Sequence, residues 1–364
     1  MKPRLIVVGP LPPPIHGVAV STSLVLGSAA VKESFAVEHL DTSDHRRSRN
    51  VGRWDLENIR LGLRALAVLN RLLGGRRGVV YLPLSQNSAA FLRDSLFILL
   101  ARIRGWKVAA HLRGSDFPTF LASSNPALRA WIRWTLERMN SVAVMGDSLR
   151  WVLGGLVPDE RLAVVPNGTP EPFDRGVVRD PERVLFLSNL RPRKGVVEAV
   201  EAALLVLARR PSARFIFAGA WEGSELERDL RSRTAAVNGS IDFRLPIEGQ
   251  AKDELLQSAA VLLFPPVEPE GHPRVLLEAM AAGLAIVTTD RGAIRETVGE
   301  DAAEFVLDEP EPDALAKCVL RLLAEGSLRE RLAASALRRY RARFTQEEAD
   351  RRLVEWLTRV ASDD

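Results

Sequence analysis

The chain has little cysteine, and it lacks both long apolar runs and the glycine-rich fingerprint of dinucleotide-binding folds. Its 364 residues contain one cysteine, Cys318, which excludes an internal disulfide and a metal site built from several cysteines. No apolar run approaches the roughly 18 to 20 residues that span a bilayer, so we expect no membrane-spanning helix. Gly-x-Gly-x-x-Gly is absent after the first apolar run, where Pro10, Pro12, Pro13 and Pro14 stand instead, and this argues against a dehydrogenase.

Lysine is also scarce, with 6 lysines against 44 arginines, and the positive charge is unevenly distributed. The net charge is +4, but residues up to Glu182 carry 24 basic and 16 acidic side chains, against 26 and 30 after it. Most of this excess lies between Asp44 and Lys107, where arginines alternate with apolar residues at helical spacing. Two interpretations stay open: a solvated helix face over an ordinary core, or a contact with an anionic membrane surface. No nucleic-acid fold motif accompanies the arginines, so we expect no nucleic-acid partner.

Short apolar runs alternate with amphipathic helical stretches along the whole chain. Such alternation predicts mainly parallel sheets with helices on both faces, with ligands at the C-terminal ends of the strands. The N-terminal run is interpreted as a strand, because prolines follow it and no small-residue cleavage site is present. The runs are RLIVVG, AVEHL, GVVYLPL, KVAAHLRG and SVAVMG in the first half, and RVLFLSN, RFIFAG, AVLLFPP and AIVTTD in the second.

The length of the chain suits two domains of typical size, each with its own core. The proline-rich segment VVPNGTPEPFDRG predicts a stiff connector between them. We therefore expect an N-terminal domain at 1–166, a linker at 167–182 and a C-terminal domain at 183–344. Residues 345–364 begin with Thr345 at a capping-box spacing and are expected to form a final helix.

The most informative stretch is VLLFPPVEPEGHPRVLLEAMAAGLAIVTTD, from Val261 to Asp290. Its apolar start predicts a buried strand, two prolines end that strand, and Pro273 suits the first turn of a helix. The Gly-His-Pro turn would then lie at a helix N-terminus, where backbone N–H groups and the positive end of the helix dipole favour an anion. Gly271 would let another molecule approach the main chain. We expect a diphosphate or a sugar at this turn.

Two glutamates flank this turn, with seven residues between them. Glu270 precedes the turn, and Glu278 stands inside VLLEAMAA with no polar residue for three positions on either side. Burial of such a carboxylate without hydrogen-bond donors would be costly, and the diol of a ribose offers two donors. The alternative interpretation is a glutamate that is simply solvated.

In these residues the chain resembles the retaining glycosyltransferases of family 4, glycosyl transferases group 1. Their signature is a Glu, seven residues and a second Glu, followed by a small-residue helix and a strand similar to AIVTTD. The resemblance implies the α/β fold called GT-B, in which two doubly wound Rossmann-like domains face each other across a cleft and the last helix crosses back to the first domain. It also implies that Glu270 lies by the transferred sugar and that Glu278 binds the ribose. Between them, the predicted donor-binding residues are Gly271, His272, Pro273, Arg274 and Val275.

A second cluster, SNLRPRKGV, follows the first strand of the second half. It brings Arg191, Arg193 and Lys194 to the predicted ligand edge, where fixed cations would stabilise a departing diphosphate. The family pattern is Arg, Leu, three residues, Lys, Gly, and this chain has Asn189 in place of the arginine. The resemblance therefore carries Lys194 over, whereas Arg191, Arg193 or a neutral hydrogen bond from Asn189 would replace the arginine. A solvated basic turn is the alternative.

Two further candidates lie in the first half. The strand KVAAHL brings His111 to the ligand edge, and the resemblance implies that this histidine contacts the donor sugar. A core histidine with satisfied hydrogen bonds is the alternative. The loop after the first strand places His16 and Gly17 where an acceptor or phosphate loop is expected. Many family members carry two adjacent glycines there, and His16 is either an acceptor contact or a surface loop residue.

The resemblance implies a retaining, metal-independent glycosyltransferase of the hexosyltransferase type. It would move a sugar from a nucleotide sugar to a saccharide or lipid-linked saccharide, in polysaccharide or cell-envelope glycoconjugate synthesis. We expect no cofactor and no metal, because acids such as Asp116 and Asp147 lie outside any metal-ligand cluster. A cytoplasmic location is expected, at the inner membrane face if the acceptor is lipid-linked. A nucleotide-sugar epimerase and a non-catalytic sugar-nucleotide binding protein remain the alternatives.

Overall fold

The computed structural model describes residues 1–13, 17–43, 56–172, 176–237 and 239–362. The chain divides into two compact units. Unit 1 comprises Met1–Asn167 and Glu347–Asp364, and unit 2 comprises Gly168–Gln346.

Unit 1 contains a parallel six-stranded sheet in the order β2-β1-β3-β4-β5-β6. The central strands are apolar on both sides because helices cover both faces, so Leu5, Ile6 and Val7 are all fully buried. Its strands are β1 (Arg4–Gly9), β2 (Ala36–Asp41), β3 (Gly78–Leu84), β4 (Lys107–Leu112), β5 (Ser141–Val144) and β6 (Leu162–Val164). Its helices are α1 (Gly17–Gly27), α2 (Ala29–Ser34), α3 (Leu56–Leu72), α4 (Ser88–Ile103), α5 (Phe117–Ser123) and α6 (Pro126–Leu136), with 3-10 turns at Asp147–Leu153 and Asp159–Arg161.

Unit 2 contains a second parallel sheet in the order β12-β11-β10-β7-β8-β9. Its strands are β7 (Arg183–Leu187), β8 (Arg214–Ala218), β9 (Ile241–Arg244), β10 (Val261–Phe264), β11 (Ala285–Thr289) and β12 (Val306–Leu307). Its helices are α7 (Val196–Arg209), α8 (Ser224–Arg233), α9 (Gly249–Ser258), α10 (Arg274–Ala281), α11 (Ile294–Val298), α12 (Pro312–Ala324) and α13 (Gly326–Arg343), with 3-10 turns at Pro192–Lys194, Ala235–Val237 and Glu300–Phe305.

The last helix, α14 (Gln346–Ser362), packs on unit 1 through one apolar face. Leu353, Trp356 and Leu357 of that face join the core that contains Tyr81. The indole Nε1 of Trp356 donates a 2.8 Å hydrogen bond to Ser141 Oγ on β5. This amphipathic helix therefore buries its apolar side on unit 1, although the rest of unit 1 is formed by residues 1–167 of the chain.

The predicted pair of doubly wound parallel domains is confirmed. All nine apolar runs named above form strands, whereas β6, β9 and β12 lie outside those runs. β6 and β12, with three and two residues, carry no recognisable pattern, and β9 alternates apolar with charged residues. Parts of the segment expected as a linker contact unit 2: Thr169 N donates to Phe344 O, and Asp180 N donates to Ser258 O. None of the helices in the described ranges is long and apolar enough to cross a membrane.

Candidate functional site

The candidate site lies where the strand order of unit 2 reverses. β7 and β10 are neighbours in the sheet, with Val184 opposite Val261, yet β8 and β9 continue on one side and β11 and β12 on the other. At such a switch point the loops that follow the two strands diverge and leave a crevice outside their carboxyl ends. These loops, residues 188–195 after β7 and 265–273 after β10, contain most of the residues singled out from the sequence.

Lys194 and Glu270 meet across these two loops. Lys194 Nζ donates a hydrogen bond to Glu270 Oε1, and their side chains are 21% and 13% exposed. The backbones are also tied together, since the N–H groups of Val267 and Glu268 both donate to the carbonyl of Arg193, at 3.1 and 3.3 Å. The fold therefore brings together two of the residues predicted to act in catalysis.

Two glycines permit this close approach. Gly195 has a φ of +77°, and a Cβ there would collide with the carbonyl oxygen of Pro265. Gly292 has a φ of +63°, and a Cβ there would collide with the carbonyl oxygen of Glu270. Because L-residues are strained at such φ values and no room exists for a side chain, both positions require glycine. The backbone of Glu270 thus packs closely against Gly292, in the loop that follows β11.

The other cations of the loop after β7 also face carboxylates. Arg191 Nε lies 3.6 Å from Glu222 Oε1, and an Arg193 guanidinium nitrogen lies 4.0 Å from Glu268 Oε2. Both arginines are more exposed than Lys194, and such exposed pairs contribute little. Asn189 is exposed next to them. Lys194 is accordingly the most shielded cation of this loop.

Glu278 lies on α10 and is paired with a lysine. Lys252 Nζ, from α9, donates a 2.9 Å hydrogen bond to Glu278 Oε1. The Glu278 side chain is 19% exposed, so it does not extend into bulk solvent. No polar residue lies within three positions of Glu278 in the sequence, and the donor comes instead from another helix. The structure leaves its predicted contact with a ribose untested.

The Gly-His-Pro turn immediately precedes α10, as predicted, with Pro273 as the N-cap residue. Gly271, His272 and Pro273 are buried, and the Gly271 carbonyl accepts a 3.0 Å hydrogen bond from Ala293 N. The expectation of an open main chain at Gly271 is therefore not met. Burial, with a smaller effect of Arg274, lowers the pKa of His272 to about 3, so its imidazole is neutral.

The side chains that follow the turn are only partly exposed. An Arg274 guanidinium nitrogen donates a 2.8 Å hydrogen bond to the carbonyl of Gly168, and Val275 is half-buried. Arg274 is therefore engaged with the start of unit 2, and a ligand would share this guanidinium with the Gly168 carbonyl.

His111 is a core residue of unit 1. Its Nε2 lies 3.0 Å from the carbonyl of Val165 and its Nδ1 lies 3.1 Å from the Tyr81 hydroxyl. Because a carbonyl only accepts, Nε2 carries the proton and Nδ1 accepts from Tyr81. Burial, reinforced by Arg113, holds the pKa of His111 well below its usual value. With both ring nitrogens engaged, the geometry matches the alternative of a core histidine, and the contact of His111 with a donor sugar stays a prediction.

The acceptor or phosphate loop predicted after β1 is only partly described. His16 lies outside the described residues. Gly17 begins α1, and a Cβ added there would meet no atom within 4 Å, so its surroundings impose no steric need for glycine. Within the described ranges, no three His, Cys, Asp or Glu side chains are grouped so that they could hold a metal ion.

Sequence reasoning missed three residues that shape the site: Lys252, Gly195 and Gly292. The two glycines follow ordinary turn patterns, and only the tertiary contacts show that a side chain there would collide with the opposite loop. Lys252 had a usable signal, because it is one of only 6 lysines in an arginine-rich chain. A lysine in a chain that otherwise uses arginine indicates a position where arginine is less suitable.

The chain is similar in sequence to known glycosyltransferases. Residues 169–339 match the sequence model of the family described as glycosyl transferases group 1. Among curated proteins, the phosphatidyl-myo-inositol mannosyltransferase of Mycolicibacterium smegmatis is 28% identical over 205 residues, covering 54% of this chain and 52% of the relative. The amylovoran biosynthesis glycosyltransferase AmsK of Erwinia amylovora is 28% identical over 217 residues, covering 56% and 52%. The matches thus span about half the length of these relatives.

Solved structures resemble the chain over its full length. A glycosyltransferase from Rickettsia africae gives a TM-score of 0.78 at 12% identity and covers 100% of both chains. The Anabaena protein Alr3699/HepE, solved in complex with UDP, gives 0.72 at 14% identity and covers 98% of this chain and 100% of that one. At these identities the likeness shows the fold, which is GT-B. Residues 169–339 of the chain are thus similar to the family described as glycosyl transferases group 1.

Proposed function

We propose that this protein transfers a sugar from a nucleotide sugar to a saccharide or lipid-linked saccharide acceptor, with retention of anomeric configuration and without a metal ion. The observation that carries the proposal is the pairing of Lys194 with Glu270 at the switch point of unit 2, with Glu278 on the helix that follows. The group 1 match covers all three residues. Relatives named for mannosyl transfer and for amylovoran biosynthesis support a role in polysaccharide or cell-envelope glycoconjugate synthesis.

Lys194 would act on the leaving group. When the bond between the anomeric carbon and the diphosphate breaks, its electron pair goes to the diphosphate, and negative charge grows on the phosphate oxygens. A cation held beside those oxygens stabilises the transition state more than the ground state. Arg191 and Arg193, in the same loop, would add to this charge, and Asn189 would donate a neutral hydrogen bond. The positive charge that the step needs is thus supplied by side chains of the chain itself.

Glu270 would act on the sugar. The anomeric carbon gains positive character as the diphosphate leaves, and the carboxylate beside Lys194 would stabilise that charge or orient hydroxyls of the sugar. The acceptor hydroxyl then bonds to the anomeric carbon on the face from which the diphosphate departs. Its proton passes to a diphosphate oxygen, so the products are the glycoside and the protonated nucleoside diphosphate. Glu278 would hold the ribose of the donor.

One surface of unit 1 supports a cytoplasmic location at the inner membrane face. α3 and α4 pack side by side, and we call their exposed side chains the α3–α4 surface. It combines exposed apolar residues with arginines, a composition complementary to an anionic lipid interface. Its described members are Arg60, Leu63, Arg64, Val68, Arg71, Leu96, Arg102, Ile103 and Arg104. Docking in this way would hold the protein at the membrane that carries a lipid-linked acceptor.

The test is a panel of nucleotide sugars, incubated in EDTA with and without lipid-linked and free saccharide acceptors. We expect one donor to be hydrolysed slowly alone and consumed faster with the right acceptor, and the glycoside to keep the anomeric configuration of the donor. Lys194→Met should abolish transfer, whereas Lys317→Met, an exposed lysine on α12, should not change it.

Four outcomes would overturn the proposal. Transfer that is lost in EDTA and restored by magnesium or manganese would remove the metal-free scheme. An inverted product would remove retention. An epimer formed from donor alone would show an epimerase, and donor binding without hydrolysis or transfer would show a silent binding protein. None of the relatives named above is described as an epimerase.

A further inference from the structure

The proposed function gives no part to Lys252, the second lysine of the site. We propose that Lys252 is a positioning residue for ribose recognition: it neutralises Glu278 when a nucleotide covers that carboxylate and leaves one oxygen of Glu278 open to a hydroxyl. This inference rests on the proposed function, in which Glu278 binds the ribose of the donor.

Lys252 forms its hydrogen bond with one of the two carboxylate oxygens of Glu278. The Lys252 ammonium lies 2.9 Å from Glu278 Oε1, and no described residue donates a side-chain hydrogen bond to Oε2. The two residues stand on different helices, α9 and α10, so their contact depends on the packing of unit 2. Both side chains are partly exposed, at 30% for Lys252 and 19% for Glu278, so a ligand can reach the pair. The contact therefore fixes the carboxylate through Oε1 and leaves Oε2 without a side-chain donor among the described residues.

The use of lysine is itself informative. Within the described residues, lysines form ion pairs in two places, with Glu270 and with Glu278, and the remaining pairs use arginine. An arginine fork matches both oxygens of a carboxylate, whereas an ammonium is a point charge that engages one of them. In a chain with 44 arginines, the lysine at position 252 keeps an oxygen of Glu278 accessible to the ligand.

The Lys252–Glu278 pair should contribute to the free energy of nucleotide binding and contribute little to the stability of the ligand-free protein. In the ligand-free protein water screens the pair, so it adds little to stability. A ribose placed over Glu278 displaces that water, and two neutral hydroxyls compensate a desolvated carboxylate poorly. The ammonium of Lys252 offsets this cost without moving. Loss of Lys252 should therefore weaken nucleotide binding through the ribose and leave folding and turnover at saturating donor unchanged.

The experiment uses calorimetric titration of the full chain with UDP, GDP and ADP, followed by the 2′-deoxy form of the nucleotide that binds most tightly. We expect the wild type to prefer the ribonucleotide by about tenfold, equivalent to one good hydrogen bond to a charged group. Lys252→Met should weaken binding of the ribonucleotide about tenfold and reduce that preference to less than about threefold. Lys252→Arg should keep the charge yet also lose preference, because its fork would hold both oxygens. Lys317→Met serves as the matched control and should match the wild type.

The outcomes separate this inference from the proposed function. If Glu278→Gln keeps the wild-type preference for ribose, the assignment of Glu278 fails, whatever Lys252 does. If Glu278→Gln loses the preference while Lys252→Met keeps wild-type affinity and preference, the role of Lys252 alone is overturned. The double variant should bind no more weakly than Glu278→Gln, because Lys252 acts through that carboxylate. Thermal melting checks folding, and Lys252→Gln replaces Lys252→Met if the latter melts early.

Discussion

Lys194 and Glu270 are 76 positions apart in the sequence and form an ion pair between the loops that follow two neighbouring strands. A diphosphate that binds Lys194 must share its ammonium with this carboxylate. The pair therefore sets two opposed requirements: Glu270 weakens the attraction for a nucleotide but is needed when the sugar becomes cationic.

Glu270→Gln should separate these two effects. Removal of the negative charge leaves Lys194 to the diphosphate, so we expect nucleoside diphosphates to bind about three- to tenfold more tightly, a gain of about 1 kcal/mol. Transfer should fall by roughly a hundredfold, because the developing charge on the sugar is no longer stabilised. Titration calorimetry and initial rates measure the two quantities. Glu268→Gln, at the 4.0 Å exposed pair with Arg193, is the control and should change both by less than twofold. Weaker nucleotide binding by Glu270→Gln would contradict the competition.

Gly292→Ala should damage the site through the backbone of Glu270. The new Cβ would collide with the Glu270 carbonyl and would occupy a left-handed φ, so we expect a loss of about 2–5 kcal/mol of stability in unit 2 together with the loss of transfer. Thermal unfolding and activity at a temperature where the variant is folded measure the two effects. Gly249→Ala is the matched control, because its φ is also positive and a Cβ there would meet no atom within 4 Å. Equal losses in both variants would assign the effect to φ strain alone and contradict the collision.

The stability of the protein should fall as the pH decreases from about 6.5. His111 and His272 both have pKa values lowered by burial, the latter to about 3, so below their ordinary value of 6.5 the unfolded chain binds protons that the folded chain does not. Each histidine should cost roughly 1 kcal/mol of unfolding free energy per pH unit below pH 6. Urea unfolding at pH 7.5, 6.0 and 5.0 measures the slope.

The lowered pKa of Glu348, about 2, affects stability only below the window between pH 6.5 and 5. The pKa of Glu198 is raised by burial and therefore opposes the effect of the histidines, so the histidine variant is needed to isolate their part. His272→Gln should remove the pH dependence of unit 2 in this window and keep that of unit 1. A slope unchanged by His272→Gln would show that the buried imidazole is not the source.

Membrane association should depend on the α3–α4 surface. Each exposed arginine near an anionic surface contributes about 1 kcal/mol, so Arg64→Gln and Arg71→Gln should each weaken binding to phosphatidylglycerol vesicles about fivefold at low salt. Leu63→Asn with Ile103→Asn should weaken it further, since these side chains are 61% and 71% exposed. Vesicle sedimentation is the measurement. Leu245→Asn is the matched control, an equally exposed leucine in unit 2. Absence of binding by the wild type, or equal loss in the control, would rule out this surface.

Nine strands of the two units could be predicted because each is a local apolar run. β1 and β10 illustrate this: RLIVVG and VLLF are apolar on both faces because parallel strands between two helical layers have no polar side, and turn residues end each run. The doubly wound order also follows from the alternation of strands and helices. β12, with two residues, could not be predicted, because its pairing is decided by the strand beside it.

The candidate site also has features that the sequence predicts and features that depend on the tertiary structure. The spacing of Glu270 and Glu278 and the basic loop at Lys194 are properties of the sequence alone, as is the start of α10 after Pro273. Their partners are not. That Lys194 pairs with Glu270 and Lys252 with Glu278 depends on where loops and helices from different parts of the chain come to lie.

His111 shows most clearly what cannot be predicted from the sequence. Its position at the end of an apolar strand is the same for a ligand contact and for a core residue, and only the tertiary structure shows that the Tyr81 hydroxyl and the Val165 carbonyl engage its ring. The sequence by itself determined the element types, the family signature and the candidate charges, since these depend on local pattern. The tertiary structure alone decided which charges are neutralised and which polar atoms remain accessible, because hydrogen bonds and ion pairs act over a few ångströms between residues that are distant in the chain.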